Sequence, residues 1–208
     1  MKKNKKHFLV TGGSGFIGSA ISKLLIDKGH KVTIFDDNSR GNLKKIFPIK
    51  NKIKFIYGDI RNYKKLNRAL HNVDAVIHLA YINGTKYFYT KPVLILDIAV
   101  KGIINVLEAC KNNNIKELYL ASSSEVYQTP DKIPTSEKET LKIPDIYNPR
   151  YSYGGGKILT ELMGIHYGKK YFKKLIIFRP HNVYGPNMGY EHVVPEFIKR
   201  FKKLKNKK

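Results

Sequence analysis

The segment Thr11-Gly12-Gly13-Ser14-Gly15-Phe16-Ile17-Gly18 constrains the fold of this chain more than any other stretch. It follows a short apolar run, Phe8 to Val10, and leads into helically spaced apolar residues from Ile17 to Lys28, ended by Gly29. Gly12, Gly15 and Gly18 allow a sharp turn and close backbone approaches that side chains would block. The segment therefore reads as a strand turning directly into a helix. Further short β-branched and aromatic runs are predicted as strands from Lys31 to Phe35, Lys54 to Tyr57, Ala75 to Leu79, Glu117 to Ala121 and Leu175 to Phe178, after a first strand from His7 to Thr11. Helical patterns fall around Lys64 to Leu70, Val93 to Lys111 and Tyr153 to Lys170, and a polar, proline-containing connection runs from Gln128 to Pro149. Strands that are apolar almost throughout and alternate with helices predict an α/β fold, a doubly wound parallel sheet covered on both faces.

The chain has 208 residues, enough to bury a core without staples, and its one cysteine, Cys110, lies in an apolar helical stretch. No disulfide framework is available, which fits a reducing, cytoplasmic setting. The apolar run after Lys2 to Lys6 is too short for a signal-peptide core, and no stretch approaches the roughly 20 apolar residues of a membrane span. The formal charge of +23 raises the question of nucleic acid. The excess is mostly lysine spread along the whole chain, with arginine only at Arg40, Arg61, Arg68, Arg150, Arg179 and Arg200. Phosphate and base recognition favours arginine's planar fork, so no specific nucleic-acid partner is expected. The basic cluster from Lys199 to Lys208 reads as a solvated or disordered end. His78 and His192 have no partner at ligand spacing, and no metal site is expected.

Three constellations carry chemistry. The glycine turn opens a helix whose first amides and dipole suit a pyrophosphate. Asp36 ends the second predicted strand, where a carboxylate accepts the hydroxyls of an adenine ribose and repels a 2′-phosphate. That points to NAD over NADP, with Arg40 as the nearby residue that speaks for the phosphorylated cofactor. Tyr153 and Lys157 lie four residues apart on one helix face, so that the ammonium, together with an oxidised nicotinamide, can favour a phenolate that removes a hydroxyl proton. Gly154, Gly155 and Gly156 between them break helix propensity by on the order of 1 kcal/mol each, which marks a place of close approach. Ser122, Ser123 and Ser124 follow a buried strand, at the sheet end where ligands bind or where serines merely cap their own backbone. Tyr87, Phe88 and Tyr89 fit packing better than a sugar-lining role.

With these motifs in this order, the chain resembles the NAD-dependent epimerase/dehydratase family, the extended short-chain dehydrogenase/reductases. The likeness runs from about Phe8 to Phe197 through the glycine turn, Gly58-Asp59-Ile60-Arg61, His78-Leu79-Ala80, Ser122-Ser123-Ser124-Glu125-Val126-Tyr127, Tyr153-x-x-x-Lys157 and Arg179-Pro180-His181-Asn182-Val183-Tyr184-Gly185-Pro186. The resemblance implies a Rossmann fold binding NAD through Gly12, Gly15, Phe16, Ile17, Gly18 and Asp36. It further implies that Asp59 and Ile60 contact adenine, that Leu79 and Ala80 line the cofactor, and that Pro180 and His181 lie near nicotinamide, beside Tyr153 and Lys157. Ser123 becomes the catalytic hydroxyl that works with Tyr153 and Lys157, while Ser124, Glu125 and Asn182 face a nucleotide-sugar substrate.

The chain departs from the family pattern at several points. Ala99 stands where the family often has Asn, Gly156 where Ser or Ala is common, and Gln128 where glycine usually follows Val-Tyr. Family 4,6-dehydratases carry Asp-Glu where this chain has Ser124-Glu125, so the acid that expels a C6 hydroxyl is missing and dehydration is disfavoured. Ser124 to Tyr127 and Pro149-Arg150-x-x-Tyr153-x-x-Gly156-Lys157 are similar to UDP-glucuronate decarboxylases. Expected, then, are an NAD-binding catalytic domain over residues 1–180 and the start of a truncated substrate-binding region over 181–208. The expected activity is 4-epimerisation of a nucleotide sugar through transient oxidation at C4, with decarboxylation as the alternative within the family and an NAD-binding module without turnover as the alternative outside it. The helices around Val93 and Tyr153 resemble the pair that forms a homodimer contact in this family.

Overall fold

The fold is given by a computed structural model, in which residues 5–189 and 193–205 are described. Six parallel strands form one sheet: β1 (His7–Thr11), β2 (Lys31–Asp36), β3 (Ile53–Tyr57), β4 (Ala75–His78), β5 (Glu117–Ala121) and β6 (Lys174–Phe178), in the order β3-β2-β1-β4-β5-β6. The chain winds outward from β1 to β3, returns to β4 on the other side of β1, and winds outward again. The strand order therefore reverses between β1 and β4, whose Thr11 and His78 are in register. In open α/β sheets this reversal, at the carboxyl ends of the strands, leaves a crevice between loops that diverge.

Residues of the inner strands β1, β2, β4 and β5 are largely buried on both faces, those of the edge strands β3 and β6 less so, and alternation sorts them. Leu9, Phe35, Val76, Leu118 and Leu120 point to one face, covered by α3 (Tyr63–Ala69), α5 (Pro92–Asn112) and α6 (Tyr151–Tyr171). Phe8, Val10, Val32, Ile34 and Ile77 point to the other, covered by α1 (Phe16–Asp27) and the segment holding α2 (Leu43–Ile46) and a 3-10 turn (Phe47–Lys52). Each fully buried Leu, Ile or Phe contributes about 1.5–3 kcal/mol relative to exposure. This two-sided burial is why the strands carry no polar stripe.

The predicted elements stand in place, with ends moved by one or two residues: α6 begins at Tyr151, and β2 extends to include Asp36. Among the described residues three further α-helices were not predicted: α2, α4 (Thr85–Thr90), and α7 (Val193–Lys205), which takes in most of the basic cluster read as a solvated or disordered end. The helix follows from Val194, Phe197, Ile198 and Phe201 at helical spacing, with Glu196 in its first turn paired to Arg200. Phe197, Ile198, Phe201 and Leu204 remain more than half exposed. His192 and the last three lysine-rich residues, 206–208, lie outside the described residues.

Candidate active site

The glycine turn forms the floor of the crevice. Gly12 has φ of +70°, its N–H donates to the Phe35 carbonyl (3.0 Å), and a Cβ there would stand 2.7 Å from the Ala80 backbone nitrogen. A Cβ on Gly18 would overlap the Gly12 carbonyl oxygen, so β1 and α1 meet closely only because both residues are glycine. Gly15 precedes α1 and offers no side-chain cap, which leaves first-turn amides for an acceptor outside the helix.

Asp36 sits at the end of β2, 7% exposed, with one carboxylate oxygen accepting from the Ser14 N–H (2.9 Å) and the other from the Asn38 N–H (2.8 Å). Two backbone amides thus fix its orientation and leave lone pairs free for ribose hydroxyls. Arg40 lines the same cavity, with its guanidinium 4.5 Å from the Tyr87 ring centre and donating to the Asn83 carbonyl (3.1 Å). Asp59 is gripped by Arg61, which also donates to Asp97 on α5 (2.7 Å). Burial would raise the Asp59 pKa, but the Arg61 hydrogen bonds outweigh it and hold the carboxyl below its ordinary range. Ile60 is buried against Gly102, and its carbonyl accepts from Asn105 (2.9 Å). The Leu79 and Ala80 amides both donate to Thr11 Oγ1 (3.1 and 3.2 Å), which lies 2.8 Å from His78 Nδ1. Burial, aided by the nearby Lys157 charge, pushes His78 down to about 3, so its imidazole is neutral.

The opposite wall comes from β5 and α6. Ser123 leaves β5 in extended conformation and caps a short 3-10 turn, its Oγ accepting from the Glu125 N–H (3.2 Å). Tyr153 is 6% exposed, stacked on Phe88 (5.1 Å between centroids) and met edge-on by Tyr81 (5.2 Å). Lys157, one turn along α6, is also buried and donates from Nζ to the Ala121 carbonyl (2.8 Å). Its Nζ lies 3.9 Å from the Tyr81 ring centre and 5.8 Å from that of Tyr153.

The electrostatics differ from the simple expectation that Lys157 depresses the Tyr153 pKa. In the chain alone, burial raises Tyr153 above the ordinary phenol value, the nearby Ser123 hydroxyl opposes the rise, and the Glu125 charge adds to it. Burial also lowers Lys157 to about 7, against an opposing pull from Glu161. Desolvation acts on both partners, and in the same sense on each: it favours the uncharged form.

The remaining predicted residues form the rim. Ser124 Oγ lies 2.7 Å from His181 Nδ1, and the Ser124 N–H donates to the Pro180 carbonyl (3.1 Å). The Glu125 carboxylate is 3.6 Å from Arg150, and Asn182 adopts a positive φ of 36°. Every site residue named from the sequence lines this one cavity of about 860 Å³. Phe88, read as a packing residue, is buried and stacks on Tyr153. Tyr81, which also packs on Tyr153, was missed, because no sequence signal distinguishes it. Among the described residues no cluster of His, Cys, Asp or Glu could hold a metal ion, and no helix is long and apolar enough to cross a membrane.

The cavity's chemistry fits a dinucleotide: a cradle that any Cβ would fill, a fixed carboxylate at the end of β2, and a buried Ser-Tyr-Lys group opposite. Comparison with known proteins agrees. The profile of the NAD dependent epimerase/dehydratase family matches residues 8–208. A UDP-N-acetyl-alpha-D-glucosaminuronate decarboxylase from Bacillus cytotoxicus is 33% identical, over 94% of this chain and 61% of its own length. A UDP-arabinose 4-epimerase from Arabidopsis thaliana is 33% identical over 86% of this chain and 43% of its own. A crystal structure of a dTDP-glucose 4,6-dehydratase from Streptomyces venezuelae with NAD bound superposes with a TM-score of 0.85 at 26% identity, over 95% of this chain and 62% of that one. The chain thus spans less than two thirds of the length of these relatives. Sheet order, glycine turn, the Ser-Tyr-Lys group and the profile match converge, and the chain belongs to the NAD-dependent epimerase/dehydratase family.

Proposed function

We propose that this chain is the cofactor-binding and catalytic portion of an NAD-dependent nucleotide-sugar 4-epimerase. The observation that carries the reading is the placement of Ser123, Tyr153 and Lys157 in the same cavity as the glycine turn and Asp36. Gly12 to Gly18 would hold the pyrophosphate, Asp36 the adenine ribose, Asp59 and Ile60 the adenine, and Leu79, Ala80, Pro180 and His181 the remainder of NAD. When bound, NAD supplies an acceptor for the hydride from sugar C4 and returns it.

The chain's own residues handle the proton. Ser123 Oγ and Tyr153 Oη, which line the same cavity, would hold the C4 hydroxyl between them. Tyr153 takes the hydroxyl proton as the carbon is oxidised to the ketone and gives it back when the ketone is reduced on its other face. Because burial leaves Tyr153 above its ordinary value in the chain alone, the phenolate depends on positive charge gathered beside it. Lys157 supplies such a charge only while its amine is protonated. At the rim, Ser124, Glu125 and Asn182 would face the sugar nucleotide. Ser124 places a hydroxyl paired with His181 where a dehydratase would need a carboxylic acid, which disfavours dehydration. Decarboxylation is the second reading, favoured by the Ser124 to Tyr127 run and by the decarboxylase among the relatives.

Incubating the chain with NAD and a panel of UDP-, dTDP- and GDP-sugars, with products followed by NMR, tests the proposal. The expected product is the C4 epimer with no net NADH. Release of CO₂ would instead establish the decarboxylase, and NAD binding without any product would leave a cofactor module. We further propose that a second copy covers the apolar residues Val93, Leu96, Val100 and Ile104 of α5 and Leu162 and Ile165 of α6, all partly exposed here. Light scattering at the mass of a monomer would remove that part.

A further inference from the structure

The departures at Ala99 and Gly156 meet at one place in the structure. Tyr81, just beyond β4, directs its hydroxyl into the crossing of α5 and α6, where a Cβ on Gly156 would overlap that hydroxyl and stand 2.7 Å from the Ala99 Cβ. Gly156 is small because the Tyr81 hydroxyl and the Ala99 methyl group both close on it. We propose that Tyr81 is a positioning residue for Lys157, its ring face holding the ammonium against α6 where Ala99 offers no side-chain hydrogen bond. This deepens the functional reading above, since it assumes that Lys157 serves Tyr153.

The geometry supports the ring rather than the hydroxyl as the active part. An ammonium has three donors, and Lys157 directs one to the Ala121 carbonyl while its Nζ sits 3.9 Å from the Tyr81 centroid, well inside the range of a cation–π contact. The Tyr81 hydroxyl is buried without a hydrogen-bond partner, and burial raises its pKa, so it stays a neutral phenol. The ionisable groups facing Lys157 are few. His78 on β4 is neutral, Tyr153 lies on the same helix face, and Glu161 one turn on is held bidentate by Arg179 (2.8 and 2.6 Å). Burial drives Lys157 toward the neutral amine, and the electron-rich ring opposes that drive at close range.

The test measures Lys157 directly in the ligand-free chain, by NMR titration of ¹³C,¹⁵N-lysine-labelled protein with the signal assigned against Lys157→Met. Tyr81→Leu is expected to lower the Lys157 midpoint by roughly one unit. Tyr81→Phe, which keeps the ring, is expected to leave it within a few tenths and to raise the unfolding temperature by removing an unpaired hydroxyl. If Tyr81→Leu leaves the midpoint in place, or Phe behaves like Leu, the proposal is overturned. Should Tyr81→Leu fail to fold, Tyr81→Met serves: it removes the ring and keeps an apolar side chain in its place, so the midpoint should fall. No fall overturns the assignment equally. In turnover, Tyr81→Leu should lower kcat about tenfold with KM nearly unchanged and move the alkaline limb of the kcat profile to lower pH. A chain that turns over no sugar but shows the lysine shift would sink the epimerase reading alone.

Discussion

The two walls of the cavity rest on different physics. On one side, Gly12 to Gly18 and Asp36 present backbone, and a carboxylate that two backbone amides hold in place. Its geometry is set by close contacts between main-chain atoms, which cannot move aside. On the other side, Ser123, Tyr153 and Lys157 present buried titratable side chains packed by Tyr81 and Phe88. There the shape is adaptable, but the charge states depend on one another through desolvation. The difference teaches that cofactor recognition should be lost by adding atoms, whereas chemistry should be lost by altering charge.

The largest expected effect lies on the titratable wall. Tyr153→Phe removes the proposed proton acceptor and should lower turnover at least about a hundredfold, while calorimetry shows NAD binding as in the wild type. Loss of NAD binding in that variant would mean that the walls are not separable. Gly18→Ala probes the opposite wall. The added methyl group meets the Gly12 carbonyl, so we expect about 1–3 kcal/mol of destabilisation from overpacking, read as a lower unfolding midpoint together with loss of NAD binding. If Gly18→Ala binds NAD normally, the wall is not built as described. Asp36→Asn keeps the shape and removes the charge that repels a 2′-phosphate. The NAD-to-NADP affinity ratio should fall by about tenfold, equivalent to about 1.4 kcal/mol, and an unchanged ratio would assign selectivity to Arg40.

The smallest effect sharpens the contrast through pH. Lys157 titrates near 7 in the folded chain and near 10.5 when unfolded, so between these values the unfolded chain binds more protons and stability rises with pH. The buried ammonium's cost is fully present below pH 7. Replacing Lys157 with Met should remove about 1 kcal/mol of this rise between pH 7 and 8, measured by urea unfolding at both values. Equal slopes in the two proteins would place the lysine's folded pKa elsewhere.

Which of these features could be read in advance follows from their range. The order of strands and helices came from local patterning, because two-sided burial leaves Leu9, Ile34 and Leu118 in unbroken apolar runs. Helix α7 was missed because its lysines dominate its composition, although Val194, Phe197, Ile198 and Phe201 carry the helical spacing. Asp59 was placed at the site by motif, but its grip by Arg61 and the link to Asp97 on α5 had no sequence signature.

The amino-acid order alone determined that a glycine turn joins the first strand to the first helix, that Asp36 closes the second strand, and that Tyr153 and Lys157 share a helix face. All of these depend on neighbours a few residues away. Only the folded molecule decided that burial raises Tyr153 and lowers Lys157, and that Tyr81, from the far side of α5 in sequence, limits the room left at Gly156. Desolvation and steric fit are sums over everything packed around a group, and the spacing of residues along a chain does not contain that sum.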